Sequence, residues 1–83
     1  MAKIYAVRDN AIEAFGQPIF VEAQGQAVRS FIDEANNPES MLNKHPEDFD
    51  LYHIGEYNKQ TGAIMGVTPE RIARAIDHIK TTN

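Results

Sequence analysis

Apolar residues recur every three or four positions between Gln24 and Asn36, a spacing that predicts an amphipathic helix. The apolar face of this helix consists of Ala27, Val28, Phe31, Ile32 and Ala35. The polar face consists of Arg29, Ser30, Asp33 and Glu34. Pro38 ends the helix, because proline has no backbone N–H and disfavours a helical conformation at the preceding residue. The loop that follows is expected to contain one short turn near Met41 and Leu42.

Three segments predict β-strands. Residues 3–9 mix aromatic and β-branched side chains and predict a first strand. Residues 50–57 and 63–67 flank the sequence NKQTG and predict a β-hairpin. Within that turn, Gly62 is expected to take the left-handed conformation that a hairpin bulge requires.

The segment between the first strand and the first helix has a weaker pattern. Gly16 and Pro18 interrupt any regular element, so residues 10–18 are expected to form a loop that packs Ile12 and Phe15 on the core. Residues 19–23 fit either a short strand or an extended arm.

The segment VTPERIARAIDHIK, residues 67–80, predicts a second helix. Thr68 is a good N-cap, and Pro69 suits the first helical position, where a missing N–H costs nothing. Its buried stripe is expected to be Ile72, Ala75, Ile76 and Ile79. On this register we expect Ile76→Ala to destabilise the protein by about 2–4 kcal/mol.

These elements predict one α+β domain over residues 1–83, with a small antiparallel sheet (strand plus hairpin) and two helices packed on one face. A chain of 83 residues builds only a small core, which favours a binding protein over an enzyme. The last three residues are expected to be disordered.

Composition excludes several classes of protein. The chain has no cysteine, which excludes disulfide scaffolds and thiolate metal sites. No apolar run approaches the ~20 residues of a membrane span, and the first ten residues lack the apolar core of a signal peptide, so we expect a soluble cytoplasmic protein. The net charge of −4 argues against a generic nucleic-acid coat protein but leaves room for a local basic face.

The stretch from residue 43 to 58 concentrates side chains that bind metals or move protons: His45, Glu47, Asp48, Asp50, His53 and Glu56. Regular strand alternation places Asp50, Tyr52, Ile54 and Glu56 on one face, and Leu51, His53, Gly55 and Tyr57 on the other. His53 is therefore expected to lie apart from Asp50 and Glu56. The preceding loop is expected to keep His45, Glu47 and Asp48 apart from one another.

No spacing in this stretch matches a known metal or calcium motif. We therefore expect no metal, no cofactor and no catalytic residue here. The sequence HPED is typical of a turn or a helix start, and both histidines are expected to be structural.

The string HPEDFDLYHIGEY, residues 45–57, closely resembles a signature of the small non-structural protein of gokushovirus-type microviruses, which are single-stranded DNA phages. The similarity extends over about residues 4–64, through IYAVRDNAIEAFGQPIF, AVRSFIDEANNPESML and TGAI. Matching positions in the first of these are Tyr5, Val7, Asp9, Ala11, Phe15, Pro18 and Phe20.

This resemblance implies a DNA-binding or non-structural protein that acts in the host cytoplasm. Its family is thought to help the phage change from replicating double-stranded intermediates to making and packaging single strands. The resemblance therefore implies contact with single-stranded DNA, with phage replication proteins or with the procapsid, and it implies no enzymatic activity and no membrane partner.

Binding to single-stranded DNA requires basic residues and aromatic rings. The basic candidates are Lys3, Arg8, Arg29, Arg71, Arg74 and His78. In the predicted second helix, the last three of these share one side, away from the isoleucines. Tyr5, Tyr52 and Tyr57 are expected to stack on bases if they are exposed. Each charge, taken alone, is more typical of an ordinary solvated surface.

The alternative function is an acidic adaptor that binds a replication initiator or capsid component without touching DNA. Its surface would consist of Asp33, Glu34, Glu39, Glu47, Asp48 and Asp50. A small core and exposed sheet edges also predict a homodimer or larger assembly, with the first strand or the hairpin edge as its seam.

Overall fold

The computed structural model describes residues 1–80, and the expectation of disorder in the last three residues lies outside this range. The elements in chain order are β1 (Ala2–Asp9), β2 (Ala14–Phe15), β3 (Ile19–Val21), α1 (Gln24–Ala35), α2 (Met41–Lys44), a 3-10 turn (Pro46–Asp48), β4 (Phe49–Tyr57), β5 (Ile64–Arg74) and a second 3-10 turn (Ala75–His78). None of the helices in residues 1–80 is long and apolar enough to cross a membrane.

The five strands form one antiparallel sheet in the order β2-β1-β4-β5, with β3 also paired to β1. The two α-helices complete an α+β fold, which confirms the predicted class. Because β1 pairs with β4 along one edge and with β2 and β3 along the other, it is not an edge strand, and the first of the two expected seams is wrong. The hairpin edge as a seam stays a prediction. In residues 1–80, β5 pairs only with β4 and is an edge strand.

The core lies between α1 and one side of the sheet, which we call the helix face. Tyr5 and Leu51 are its largest fully buried side chains. They pack with Ala27, Phe31, Ala35, Phe49 and Ala75. The apolar face predicted for α1 is therefore confirmed, and the other side of the sheet is called the open face.

Side chains fix both ends of α1. At its start, the Gln26 side-chain oxygen accepts hydrogen bonds from the backbone N–H groups of Glu22 and Ala23, at 2.9 and 3.0 Å. At its end, the Asn36 side-chain amide donates to the carbonyl oxygens of Ile32 and His78, both at 2.9 Å. The second of these bonds ties the helix to the last 3-10 turn, which is distant in sequence.

The predicted hairpin is confirmed, with β4 and β5 as its strands. Gly62 has a φ of 79°, the left-handed conformation expected of it. The Asn58 side chain accepts hydrogen bonds from the backbone N–H groups of Gln60 and Thr61, which holds the turn closed.

The predicted second helix is wrong. Residues 67–74 continue β5, where Glu70 lies opposite His53, Arg71 opposite Tyr52 and Arg74 opposite Asp50. Thr68 and Pro69 belong to a short stretch, 67–69, that has no Cα partners on β4, so the missing N–H of Pro69 breaks no ladder bond. Pairing with β4 overrides the local helix pattern.

Burial in this last segment does not follow the predicted helix face. Ala75 is fully buried, and Ile72 and Ile79 pack partly against the core, but Ile76 is 46% exposed. The expected burial of Ile76 is therefore wrong.

The loop after β1 also differs from its prediction. Ile12 is 70% exposed and Phe15 is 44% exposed, so neither lies in the core. Phe15 belongs to β2 and pairs with Arg8 of β1, which turns its ring towards the open face. The alternative of a short strand over residues 19–23 is confirmed by β3, whose residue Phe20 pairs with Ile4.

A β-bulge at Ile54 divides β4. Tyr5 pairs with His53 and Ile4 pairs with Gly55, so Ile54 has no partner on β1. A bulge of one residue reverses the faces of all the side chains beyond it. The regular alternation predicted for β4 consequently fails after His53. Gly55 and Tyr57 share the open face with Asp50 and Tyr52, while Glu56 joins His53 on the helix face.

Gly55 is required next to this bulge. A Cβ atom built at Gly55 would lie 2.8 Å from the carbonyl oxygen of Met65 and 3.4 Å from a methyl group of Ile4. Because the first of these contacts is with backbone, a side chain at this position forces β4 and β5 apart.

We expect Gly55→Ala to lower the free energy of unfolding by about 1–3 kcal/mol, the usual cost of overpacking. Urea denaturation followed by circular dichroism measures it. Gly66→Ala is the matched control, because Gly66 lies opposite Gly55 and has open space for a Cβ atom. Equal stability of the two variants would contradict the close approach.

We further expect Phe31→Ala to cost about 3–5 kcal/mol, because Phe31 is buried in the core. The half-exposed Ile76 should tolerate alanine with a loss of about 1 kcal/mol or less, below the cost expected from the helical register. Thermal melts of both variants check this difference. A larger loss from Ile76→Ala than from Phe31→Ala would contradict the observed register.

Candidate nucleic-acid interface

The open face presents four aromatic rings in two pairs. The rings of Phe15 and Tyr52 meet edge to face with centroids 5.3 Å apart. The rings of Phe20 and Tyr57 meet in the same way at 5.4 Å. Both phenylalanines are exposed and both tyrosines are half-buried, so each pair offers aromatic surface to solvent. Exposed rings of this kind are stacking surfaces for nucleic-acid bases.

Tyr52 and Tyr57 share the open face only because of the bulge. They are five positions apart, which would place them on opposite faces of a regular strand. With Ile54 unpaired, four strand steps separate them, which corresponds to roughly 13 Å at about 3.3 Å per residue. The predicted placement of these two rings on opposite faces is therefore wrong.

Arg8 lies beside the first aromatic pair. Its guanidinium carbon is 5.8 Å from the centre of the Phe15 ring, within the range of a cation–π contact. Its Nη1 donates to the Asn10 side-chain oxygen at 2.7 Å. Within residues 1–80, Arg8 forms no ion pair, so its charge is available to an anion.

Asp50 lies between the basic residues of the open face. The strand register places it opposite Arg8 on one side and Arg74 on the other. Its side chain is only 10% exposed, accepts a hydrogen bond from the Asn10 amide at 3.1 Å, and lies 3.9 Å from Nη1 of Arg71. This buried carboxylate offsets part of the positive charge of the neighbouring arginines.

The six predicted basic residues do not form one track. Arg8 and Arg71 lie on the open face, whereas Lys3 lies on the helix face, where its Nζ is 3.8 Å from Glu56. Arg29 lies on the solvent side of α1, on the other side of the sheet from the aromatic pairs. The assignment of these residues to DNA stays a prediction, but their arrangement differs from the expected one.

Arg71, Arg74 and His78 do not share one side of a helix, because β5 ends at Arg74 and a 3-10 turn follows. Arg74 donates two hydrogen bonds to the Asp77 carboxylate, at 2.9 and 2.8 Å. These bonds lower the pKa of Asp77 and raise that of Arg74. Arg74 is thus already paired with a carboxylate, and His78 is half-buried in the turn.

The sequence pattern does not identify Phe15 and Phe20 as surface residues. Each lies on a strand of two or three residues, too short to show an alternating pattern. The face to which each ring points depends on pairing with β1, where Phe15 lies opposite Arg8 and Phe20 lies opposite Ile4. The only local indication is that Gly16 and Pro18 prevent this segment from forming a helix.

Tyr5 is fully buried on the helix face, so it does not meet the condition of exposure under which it was expected to stack on bases. Its hydroxyl donates to the Gln24 side-chain oxygen at 3.0 Å. Burial raises the pKa of Tyr5, and the nearby carboxylates of Glu56 and Glu70 raise it further.

His53 lies next to Tyr5, with the two ring centroids 5.1 Å apart. Its Nε2 is buried without a hydrogen-bond partner in residues 1–80, and it is 3.5 Å from the Glu56 carboxylate. The expectation that His53 and Glu56 are split is therefore wrong, and the bulge at Ile54 is the reason.

His45, Glu47 and Asp48 come together at the first 3-10 turn. Their potential ligand atoms all lie within 4.8 Å of one another, so the expectation that these side chains lie apart is wrong. The tight winding of a 3-10 turn brings together side chains that are three positions apart in sequence, such as His45 and Asp48. Such exposed carboxylates are common without an ion, and the expectation of no metal stays a prediction.

A family model described as Phage ORF5 protein matches residues 2–78 of the chain. No curated protein and no solved structure shows significant similarity to it.

We expect the stability of the protein to decline as pH rises above about 10, the ordinary pKa of tyrosine. Because the pKa of Tyr5 is raised in the folded state, its stabilising contribution is complete below the unfolded pKa and is lost as pH rises through the folded value. Urea denaturation between pH 8 and 11 measures this loss. Tyr5→Phe should make the decline shallower, and Tyr52→Phe is the control on the open face. An unchanged pH profile in Tyr5→Phe would contradict the assignment.

Proposed function

Because the chain belongs to the phage ORF5 protein family, we propose that it is a non-structural protein of a gokushovirus-type microvirus that binds single-stranded DNA through its open face. In this proposal it acts in the host cytoplasm during the change from genome replication to packaging of single strands. It acts by binding, without enzymatic activity and without a cofactor.

The observation that supports DNA binding best is the presence of two exposed aromatic pairs on the same sheet face as Arg8 and Arg71. Stacking of a base on an aromatic side chain contributes about 1–3 kcal/mol and tolerates any sequence. The arginines add contacts to phosphate. This combination suits a flexible single strand, whose bases can turn towards the protein, better than a duplex, whose bases are already stacked.

The charge balance limits the affinity of one copy. The chain carries 8 basic and 12 acidic residues, and Asp50 lies among the few cations of the open face. We therefore propose modest binding, nearly independent of sequence, that becomes tighter when several copies line one strand. A homodimer or larger assembly through the exposed edge of β5 would provide such an arrangement.

We expect fluorescein-labelled oligo(dT) to bind with an affinity that falls between about 50 and 200 mM salt, measured by fluorescence anisotropy. The log–log slope should be roughly −0.7 for each phosphate neutralised, and therefore shallow. Arg71→Ala should weaken binding by roughly three- to tenfold and flatten the slope, because one cation of the open face is lost. Phe15→Leu and Phe20→Leu should weaken binding without changing the slope, because each removes a ring and no charge.

Arg29→Ala is the matched control. It removes the same charge from an exposed arginine on the other side of the sheet, so it changes the net charge equally. Thermal melts confirm that each variant folds. An equal loss of affinity in Arg29→Ala and Arg71→Ala would show that binding follows net charge and not the open face.

The alternative is the acidic adaptor, and one observation favours it. Exposed carboxylates lie on and after α1, on the other side of the sheet from the aromatic rings: Asp33, Glu34, Glu39 and Glu47. Asp50 does not belong to this surface, because it is buried on the open face. If the wild-type protein shows no DNA binding at low salt, this function replaces the first, with a replication initiator or capsid component as its partner.

A further inference from the structure

Two shallow cavities lie on the helix face, one at each side of α2. The first has a volume of about 270 Å³ and is lined by Ile12, Met41 and Phe49, with Asp9, His45 and Asp48 around them. The second has a volume of about 250 Å³ and is lined mainly by apolar side chains, among them Ile19, Phe31 and Leu42, with Glu34 at its border.

The two cavities are neighbours on the same sheet surface. Asp9 and Phe49 are a cross-strand pair that lines the first, and Val7 and Leu51, the next pair on this face, line the second. Met41 and Leu42 are successive residues of α2, and each lines one cavity. We call these two neighbouring depressions, from Ile12 past α2 to Ile19, the α2 groove.

Large apolar side chains are exposed to solvent in the α2 groove. Ile12 is 70% exposed and Met41 is 55% exposed, and both line the first cavity. Ile19, which lines the second, is also exposed. Apolar side chains gathered at one depression, in contrast to single exposed ones, are typical of a binding surface.

The charged residues that line the groove are acidic. Asp9 and Asp48 border the first cavity and Glu34 borders the second. Glu47 lies close to Asp48, within 4.8 Å between carboxylate oxygens. Lys44, the only lysine of α2, lines neither cavity. This charge repels the phosphates of nucleic acid and attracts Lys and Arg side chains.

We propose that the α2 groove binds an amphipathic, basic segment of a partner protein, with apolar anchors against Ile12, Met41 and Ile19 and basic side chains against Asp9, Asp48 and Glu34. Apolar anchors in a groove provide affinity, and the carboxylates around them select a basic partner. The groove lies on the opposite side of the sheet from the aromatic pairs, so the protein can hold this segment and a DNA strand at the same time. The proposal does not depend on DNA binding.

The test uses a fluorescein-labelled synthetic peptide with leucines at helical three-and-four spacing and lysines elsewhere. A second peptide carries glutamate in place of every lysine. We expect the lysine peptide to bind the full chain in anisotropy titrations and the glutamate peptide not to bind. The double variant Ile12→Gln and Met41→Gln should weaken binding about tenfold or more, the effect of losing anchor residues.

Matched controls separate the groove from the general surface. Ile64→Gln with Ile76→Gln removes two exposed apolar residues outside the groove and should leave binding unchanged. Asp48→Lys should weaken binding more than Asp33→Lys, because Asp33 lies on the solvent side of α1 and lines neither cavity. Melting temperatures confirm that all variants fold.

Three results would overturn the proposal. Equal binding of both peptides would remove the charge selection, and equal losses in the groove and control variants would remove the site. Self-association of the chain that is lost in Ile12→Gln with Met41→Gln, measured by light scattering, would instead identify the groove as a contact between copies.

Discussion

The bulge at Ile54 determines which side chains each face of the sheet presents. With one residue of β4 left unpaired, Tyr57 lies with Tyr52 on the open face, and Glu56 lies with His53 and Lys3 on the helix face. Gly55 makes the arrangement possible, because the backbone of β5 approaches it too closely for any side chain. Both the aromatic surface and the buried polar contacts around Tyr5 depend on this single irregularity, which is consistent with the recurrent use of bulges to redirect side chains.

Those parts of the fold that local sequence determines could be predicted. Phe31 and Ala35 mark the buried side of α1 through helical spacing, and Gly62 marks the hairpin turn through its need for a positive φ. Residues 67–80 could not be predicted in this way, because Thr68 and Pro69 imitate a helix start while the actual structure comes from pairing with β4. A single sequence contains the local preference but not the strand that outcompetes it.

The candidate site was less predictable than the fold for the same reason. Arg8 and Tyr52 were recognised by residue type, but their partners Phe15 and Asn10 follow from pairing and from a side-chain contact across the turn. The bulge also falsified every inference from regular alternation beyond His53. The sequence identifies side chains of the types that bind DNA, but the strand register decides which face of the sheet each one occupies. The two aromatic pairs lie on the open face with Arg8, Arg71 and Arg74, and the acidic residues of α1 lie on the other side of the sheet.

The unpaired stretch 67–69 of β5 has a consequence for how this small protein behaves when many copies accumulate. A long, regular edge strand is a template on which further strands add without limit, and this is how fibrous aggregates grow. Pro69 offers no N–H to an incoming strand, and the stretch divides the edge into two short runs, Ile64–Gly66 and Glu70–Arg74. Each run is shorter than the roughly six or seven residues typical of a fibril-forming segment, so the interruption disfavours growth of such aggregates along this edge.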